Sequence, residues 1–141
     1  MYQQQITTPE EAISHLFFHC CLQDGVYTDR ELEALSDKMV LGGLNKKLNF
    51  KDEVVKYRAY YDDIKDDEAY IRFLIEFLKP GNTLALYSYC AELCLTDALL
   101  GPREGKLLRA IANALHLKDN EEAVCRTLML QRKAVEMRKI F

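Results

Sequence analysis

The sequence predicts an all-α fold, a compact bundle of about seven helices built from two related helical hairpins. The main observation is an internal repeat, because Leu16–Leu44 is echoed 73 positions later by Tyr89–Leu117. The copies share the pairs Cys21/Cys94, Leu22/Leu95, Asp24/Asp97, Arg30/Arg103, Glu31/Glu104, Leu35/Leu108 and Leu44/Leu117. The second observation is helical spacing of apolar residues throughout, with glycine and proline between the helical blocks and no sustained alternation typical of strands.

In the first half of the chain, residues 1–7 are expected to form a loosely structured N-terminal segment. The segment Thr8-Pro9-Glu10-Glu11 is a capping box with proline at the first helical position, and it opens the first helix. Predicted helices follow at about 9–23, 29–41, 50–61 and 68–78. The second helix stops at Gly42-Gly43, Asn49 caps the third, and Asp66 or Asp67 caps the fourth.

In the second half, Pro80-Gly81-Asn82 marks the join between the two repeats. Three more helices are predicted at about 83–95, 102–115 and from a cap at Asp119 or Asn120 to near residue 139. The last helix carries an apolar stripe of Val124, Leu128, Gln131 and Val135. The predicted core includes Leu16, Cys20, Leu35, Phe73, Phe77, Cys94, Leu108, Ile111 and Leu128.

Length and composition indicate a single domain over residues 1–141. Hydrophobic residues make up 49 % of the chain, which argues against disorder, and the net charge of −3 argues against a nucleic-acid binder. No apolar run approaches the roughly 20 residues that span a bilayer, so no membrane insertion is expected. The five cysteines and the lack of a signal peptide predict reduced thiols in the cytoplasm.

The repeated carboxylates have an ordinary explanation as helix caps. Thr28 with Glu31 is a capping box, and Glu104 falls at the third position of a helix opened by Gly101 and Pro102. Asp24 and Asp97 fit this explanation less well. A carboxylate near a helix C-terminus faces the negative end of the helix dipole.

A second interpretation is a cation site. If the two hairpins meet about a pseudo-two-fold axis, Asp24, Glu31, Asp97 and Glu104 could converge. Four buried like charges repel unless a cation or raised pKa values relieve them. Oxygen ligands suit calcium, magnesium or manganese. The spacing does not match an EF-hand loop, which needs about twelve residues with alternating oxygen ligands.

An apolar helix, then Asp-Gly, then a glutamate opening the next helix, twice in one chain, resembles the tellurite-resistance TerB-like domain family. It is also similar to the N-terminal domain of a membrane-anchored DnaJ-like co-chaperone. The resemblance covers about Pro9 to about Leu117. It implies a compact all-helical fold, a metal site at Asp24, Glu31, Asp97 and Glu104, and a stress-response setting. Ala98 departs from the pattern, because the family usually has glycine there.

Other chemistry-bearing residues favour structural roles. His15 and His19 lie one turn apart without an HExxH pattern, so a partly buried or rim position is expected rather than a metal site. Cys90 and Cys94 lack the C-x-x-C spacing of zinc sites and are expected to be buried. The aspartates of residues 62–67 are expected to form a solvated turn and a helix cap rather than a cation site. The basic residues of the last helix form a solvated face, with an acidic partner or phosphate as the alternative.

No phosphate-binding loop, dinucleotide fingerprint or nucleophile elbow is present, so the chain is not expected to be an enzyme. Two functions remain from the sequence. One is a TerB-like acidic domain that binds a divalent cation, and the other is a helical protein-interaction module whose acids only cap helices. The physiological partner is unknown, and the oligomeric state is open, with a dimer as one option.

Overall fold

The computed structural model describes residues 1–22, 29–41, 43–95 and 101–136, and over these residues the chain is all-α. The helices are α1 (Tyr2–Gln5), α2 (Pro9–Cys21), α3 (Asp29–Leu41), α4 (Phe50–Tyr60), α5 (Asp67–Leu78), α6 (Thr83–Cys94), α7 (Pro102–Ala114) and α8 (Asp119–Glu136). Single 3₁₀ turns lie at Leu44–Lys46 and Tyr61–Asp63. Across this part of the chain, no helix combines the length and apolar character needed to cross a bilayer.

Polar caps fix the starts of four helices. In each case a side-chain oxygen of the capping residue accepts a backbone N–H from the first turn of the helix. The capping residues are Thr8 for α2, Asn49 for α4, Asp66 for α5 and Asn82 for α6. The predicted caps at Thr8, Asn49 and Asp66 are thus confirmed. The predicted cap at Asp119 or Asn120 is wrong, because Asp119 is already helical and the carbonyl of Lys118, the residue before it, accepts the N–H of Glu122.

The two hairpins have matching boundaries. Helices α3 and α7 start and end at positions that correspond at the repeat offset, and so do the ends of α2 and α6. Paired residues are also buried alike, since Cys21 and Cys94 are 7 % and 8 % exposed. Helix α2 lies at the centre and packs against α3, α4, α5 and α6. Helix α6 packs in turn against α3, α7 and α8.

The N-terminal segment is ordered, whereas the sequence predicted a loosely structured segment. Tyr2 and Ile6 are buried, and the Tyr2 ring lies 4.9 Å from Tyr70 and 5.4 Å from Phe73, centroid to centroid. Burial of a large aromatic side chain offsets the entropy cost of ordering a short polar segment.

Helix α8 packs with a different face from the predicted one. The side chains of Val124, Leu128 and Val135 are exposed, whereas Cys125, Met129 and Leu130 pack against the core. Leu128 therefore does not belong to the core. The helix carries two apolar stripes, and periodicity alone does not say which one faces inward. Phe73 and Phe77 are partly buried, and the other predicted core residues are buried.

Helix α7 ends in a Schellman motif. The N–H of Leu117 bonds to the carbonyl of Ala112, and the N–H of His116 bonds to that of Asn113. This geometry places His116 in the left-handed region, with φ of 58°. Glycine is the usual residue at this position because a Cβ is strained there.

We therefore predict that His116→Gly stabilises the protein by about 0.5–1 kcal/mol, since the released strain exceeds the added entropy of the unfolded chain. Urea unfolding monitored by circular dichroism measures the change. The matched variant His116→Ala keeps the Cβ and should bring no gain. Equal stability of the two variants would contradict a strained backbone at this site.

Candidate functional site

Asp24 and Asp97 of the predicted carboxylate site lie outside the described residues, and so does the side chain of Glu31. Glu104 is described, in the first turn of α7. Its Oε2 lies against Gly101, so closely that a Cβ at Gly101 would collide with it. Glycine at the N-cap thus leaves room for the carboxylate to fold back over the helix start, as a capping glutamate does.

The C-terminal ends of α2 and α6 lie side by side. The Cys94 thiol donates to the backbone carbonyl of Cys20 across 3.8 Å. Leu22 and Leu95, the residues that follow the two helices, are both buried. The segments that carry Asp24 and Asp97 therefore leave from neighbouring points of the bundle.

Buried thiols line this contact between α2 and α6. Cys20, Cys90 and Cys94 are all free and buried. Hydrogen bonding to Cys20, followed by burial and by the negative charge of Glu104, raises the pKa of the Cys94 thiol. A hydrogen bond with Cys90, together with burial, raises the pKa of the Cys20 thiol. The Cys20 and Cys94 thiols therefore stay protonated. All three cysteines serve as small core residues, as the sequence predicts for Cys90 and Cys94.

A polar network that the sequence did not predict crosses the core beside α2. The His15 imidazole is fully buried, with Nε2 2.9 Å from Glu53 Oε1 and Nδ1 2.6 Å from the Tyr60 hydroxyl. A carboxylate can only accept, so Nε2–H donates to Glu53 and the Tyr60 hydroxyl donates to Nδ1. The Tyr70 hydroxyl completes the chain by donating to Tyr60.

His19 repeats this arrangement one turn later on α2. Its Nδ1 lies 2.9 Å from the Tyr57 hydroxyl, and its Nε2 lies 3.2 Å from Asp67 Oδ1. Each imidazole thus joins a tyrosine of α4 to a carboxylate, which belongs to α4 for His15 and to α5 for His19. Among the described residues, every buried side-chain nitrogen and oxygen has a hydrogen-bond partner.

The expected rim or partly buried position of the two histidines is wrong, because both are 0 % exposed. Their burial is possible since each ring nitrogen has a partner, which removes most of the cost of desolvation. The sequence signal lay on α4, where Glu53, Tyr57 and Tyr60 share one face at helical spacing. A single helix pattern does not reveal which polar residues meet across an interface.

The network joins α2 to α4 and α5. Asp67 lines a surface cavity of about 530 Å³ beside α7, whereas both imidazoles face the core. A general base must reach the proton that it removes. Within the described ranges, no three or more His, Cys, Asp or Glu side chains are grouped so as to hold a metal ion.

Burial, opposed by the hydrogen bond to Glu53, lowers the pKa of His15. The folded protein therefore binds fewer protons than the unfolded chain below about pH 6.5, and stability is lost as the pH falls through that value. We predict that His15→Gln lowers the free energy of unfolding by about 2–4 kcal/mol at pH 7.5, because Glu53 and Tyr60 lose a buried partner. The difference in the free energy of unfolding between the variant and the native chain should become smaller toward pH 5, because only the native chain loses the contribution of His15.

Urea unfolding between pH 5 and pH 8 measures that difference in the free energy of unfolding. Tyr60→Phe is the matched control, since it removes one hydrogen bond of His15 but keeps the imidazole. It should lower stability while retaining the loss at acidic pH. A difference between His15→Gln and the native chain that stays constant with pH would show that folding does not lower the pKa of His15.

No family model, curated protein or solved structure matches this chain.

Proposed function

We propose that this chain is a non-enzymatic, TerB-like helical domain that binds a divalent cation in a tellurite- or stress-response setting. The cation is calcium, magnesium or manganese, and its ligands are Asp24, Glu31, Asp97 and Glu104. The observation that carries the proposal is the contact between the C-terminal ends of α2 and α6, where Cys94 donates to the carbonyl of Cys20. Each aspartate follows the last residue of its helix by three positions.

The matched boundaries of the hairpins also support the proposal. Asp24 and Asp97 stand at equivalent distances along the chain from α2 and α6, and Glu31 and Glu104 occupy the same position of α3 and α7. A pseudo-two-fold arrangement of these helices would bring two aspartates and two glutamates toward one point. Carboxylates that converge in this way repel one another and favour a bound cation.

The second candidate is a helical interaction module whose acids only cap helices. The position of Glu104 against Gly101 favours it, because that is where a capping glutamate lies. The two candidates differ in their response to cations. A pure cap needs no ion, and its glutamate can be replaced by glutamine with little loss.

If the cation site exists, saturating calcium, magnesium or manganese stabilises the native chain by RT ln(1 + [L]/Kd), about 2.7 kcal/mol at a hundred times Kd. We predict a rise in Tm of roughly 8 °C for the cation that binds best. The double variant Asp24→Asn/Asp97→Asn should show no such rise. Calorimetric titration of each ion measures the binding directly.

The matched control is Asp62→Asn/Asp63→Asn, which removes two exposed carboxylates from the turn after α4. It should keep the full response, since these residues lie outside the proposed ligand set. Glu104→Gln should weaken cation binding while changing the Tm of the metal-free protein little. A flat Tm with all three ions would leave the interaction module as the function, and binding retained by Asp24→Asn/Asp97→Asn would place the ion elsewhere.

A further inference from the structure

Helix α8 presents two chemically different faces. On its inner face, the Tyr87 hydroxyl donates to Glu122 across 2.7 Å, and Cys125 Sγ lies 3.2 Å from the Ser88 hydroxyl on α6. Arg126 donates to the same Glu122 oxygen across 3.1 Å. These contacts fix the rotation of α8 about its own axis.

The outer face carries an exposed apolar stripe that the fold leaves open. Val124, Leu128 and Val135 are 58 %, 58 % and 67 % exposed, and Gln131 between them is exposed as well. The steps along this stripe are four, three and four residues, which is the heptad spacing of a helix that packs against another helix. A stripe of this kind indicates an interface rather than scattered surface residues.

The charges along α8 indicate what kind of partner fits. The first turn is acidic, with Asp119 and Glu121 exposed, whereas the distal half carries exposed Arg132. A helix that is acidic at one end and basic toward the other complements a copy of itself in the antiparallel orientation. We propose that the outer face of α8 binds the same face of a second copy of this chain about a two-fold axis.

Heptad packing limits the pair to registers in which unlike seam positions meet, and we choose the one that places Glu121 beside Arg132. In an antiparallel pair, a residue at one heptad seam position packs against the other seam position of the partner. Val124 of each copy then meets Leu128 of the other, and Glu121 lies opposite Gln131 and beside Arg132. The interface has an apolar centre flanked by two equivalent ion pairs, one at each end.

The interface is small, because α8 has 18 residues and spans about 27 Å at 1.5 Å per residue. Such a surface lies at the low end of specific interfaces, so the association is weak, with a Kd of roughly micromolar order. The dimer should therefore form in a concentration-dependent way, and sedimentation velocity over a dilution series detects it.

Leu128→Glu introduces a charge at the centre of the stripe and should raise the dimer Kd more than about tenfold. Val55→Glu is the matched control, since Val55 on α4 is 66 % exposed but lies outside the stripe. It should change the Kd less than about twofold. Circular dichroism of both variants verifies that each is folded.

Charge reversal tests the antiparallel register. Glu121→Lys alone and Arg132→Glu alone should each weaken self-association, because each places like charges opposite at both ends. An equimolar mixture of the two single variants should dimerise, because each end then pairs opposite charges. The double variant Glu121→Lys/Arg132→Glu should also recover the dimer.

A native chain that stays monomeric up to millimolar concentration would overturn the proposal and assign the stripe to a different partner. Equal effects of Leu128→Glu and Val55→Glu on the dimer Kd would place the dimer interface on another surface. Failure of the mixed single variants to associate, with a native dimer present, would rule out the antiparallel register.

Discussion

The bundle depends on the pairing of two buried imidazoles on α2. A buried polar ring without partners would cost several kcal/mol, so His15 and His19 are compatible with the core only while Tyr60, Tyr57 and the two carboxylates stay in place. The requirement is reciprocal, since α4 and α5 are held at a fixed distance from α2 by the same bonds. The end of α2 is held against the end of α6 by a separate contact, the hydrogen bond from Cys94 to the Cys20 carbonyl.

The two halves of the repeat use equivalent positions differently. At the repeat offset, His15 and His19 correspond to Ser88 and Glu92 on α6. Ser88 contacts Cys125 of α8, and Glu92 forms an ion pair with Lys38 of α3. One face of a repeated helix thus accepts α4 and α5 in the first half and α8 and α3 in the second. The number of residues between α2 and α3 is nevertheless the same as between α6 and α7.

The helix boundaries were readable from the sequence because caps, prolines and glycines act locally. Thr8 and Asn49 specify helix starts without knowledge of the rest of the fold. The histidine network was not readable, because it joins residues about forty positions apart whose meeting depends on helix packing. The inward face of α8 was misjudged for the same reason: the Tyr87–Glu122 bond, and not periodicity, selects it. For the carboxylate site, the repeat could be recognised in the sequence. The contact between the ends of α2 and α6 could be seen only in the structure.

Chemical modification of the buried thiols at the contact of α2 and α6 measures local unfolding of the bundle. A thiol reagent reaches Cys20 and Cys94 only when these helix ends separate, and their protonated state slows the reaction further. Cys125 is less deeply buried, so α8 should release its cysteine for modification first. The order in which the cysteines react therefore reports the order of local unfolding events, from the last helix toward the contact between α2 and α6.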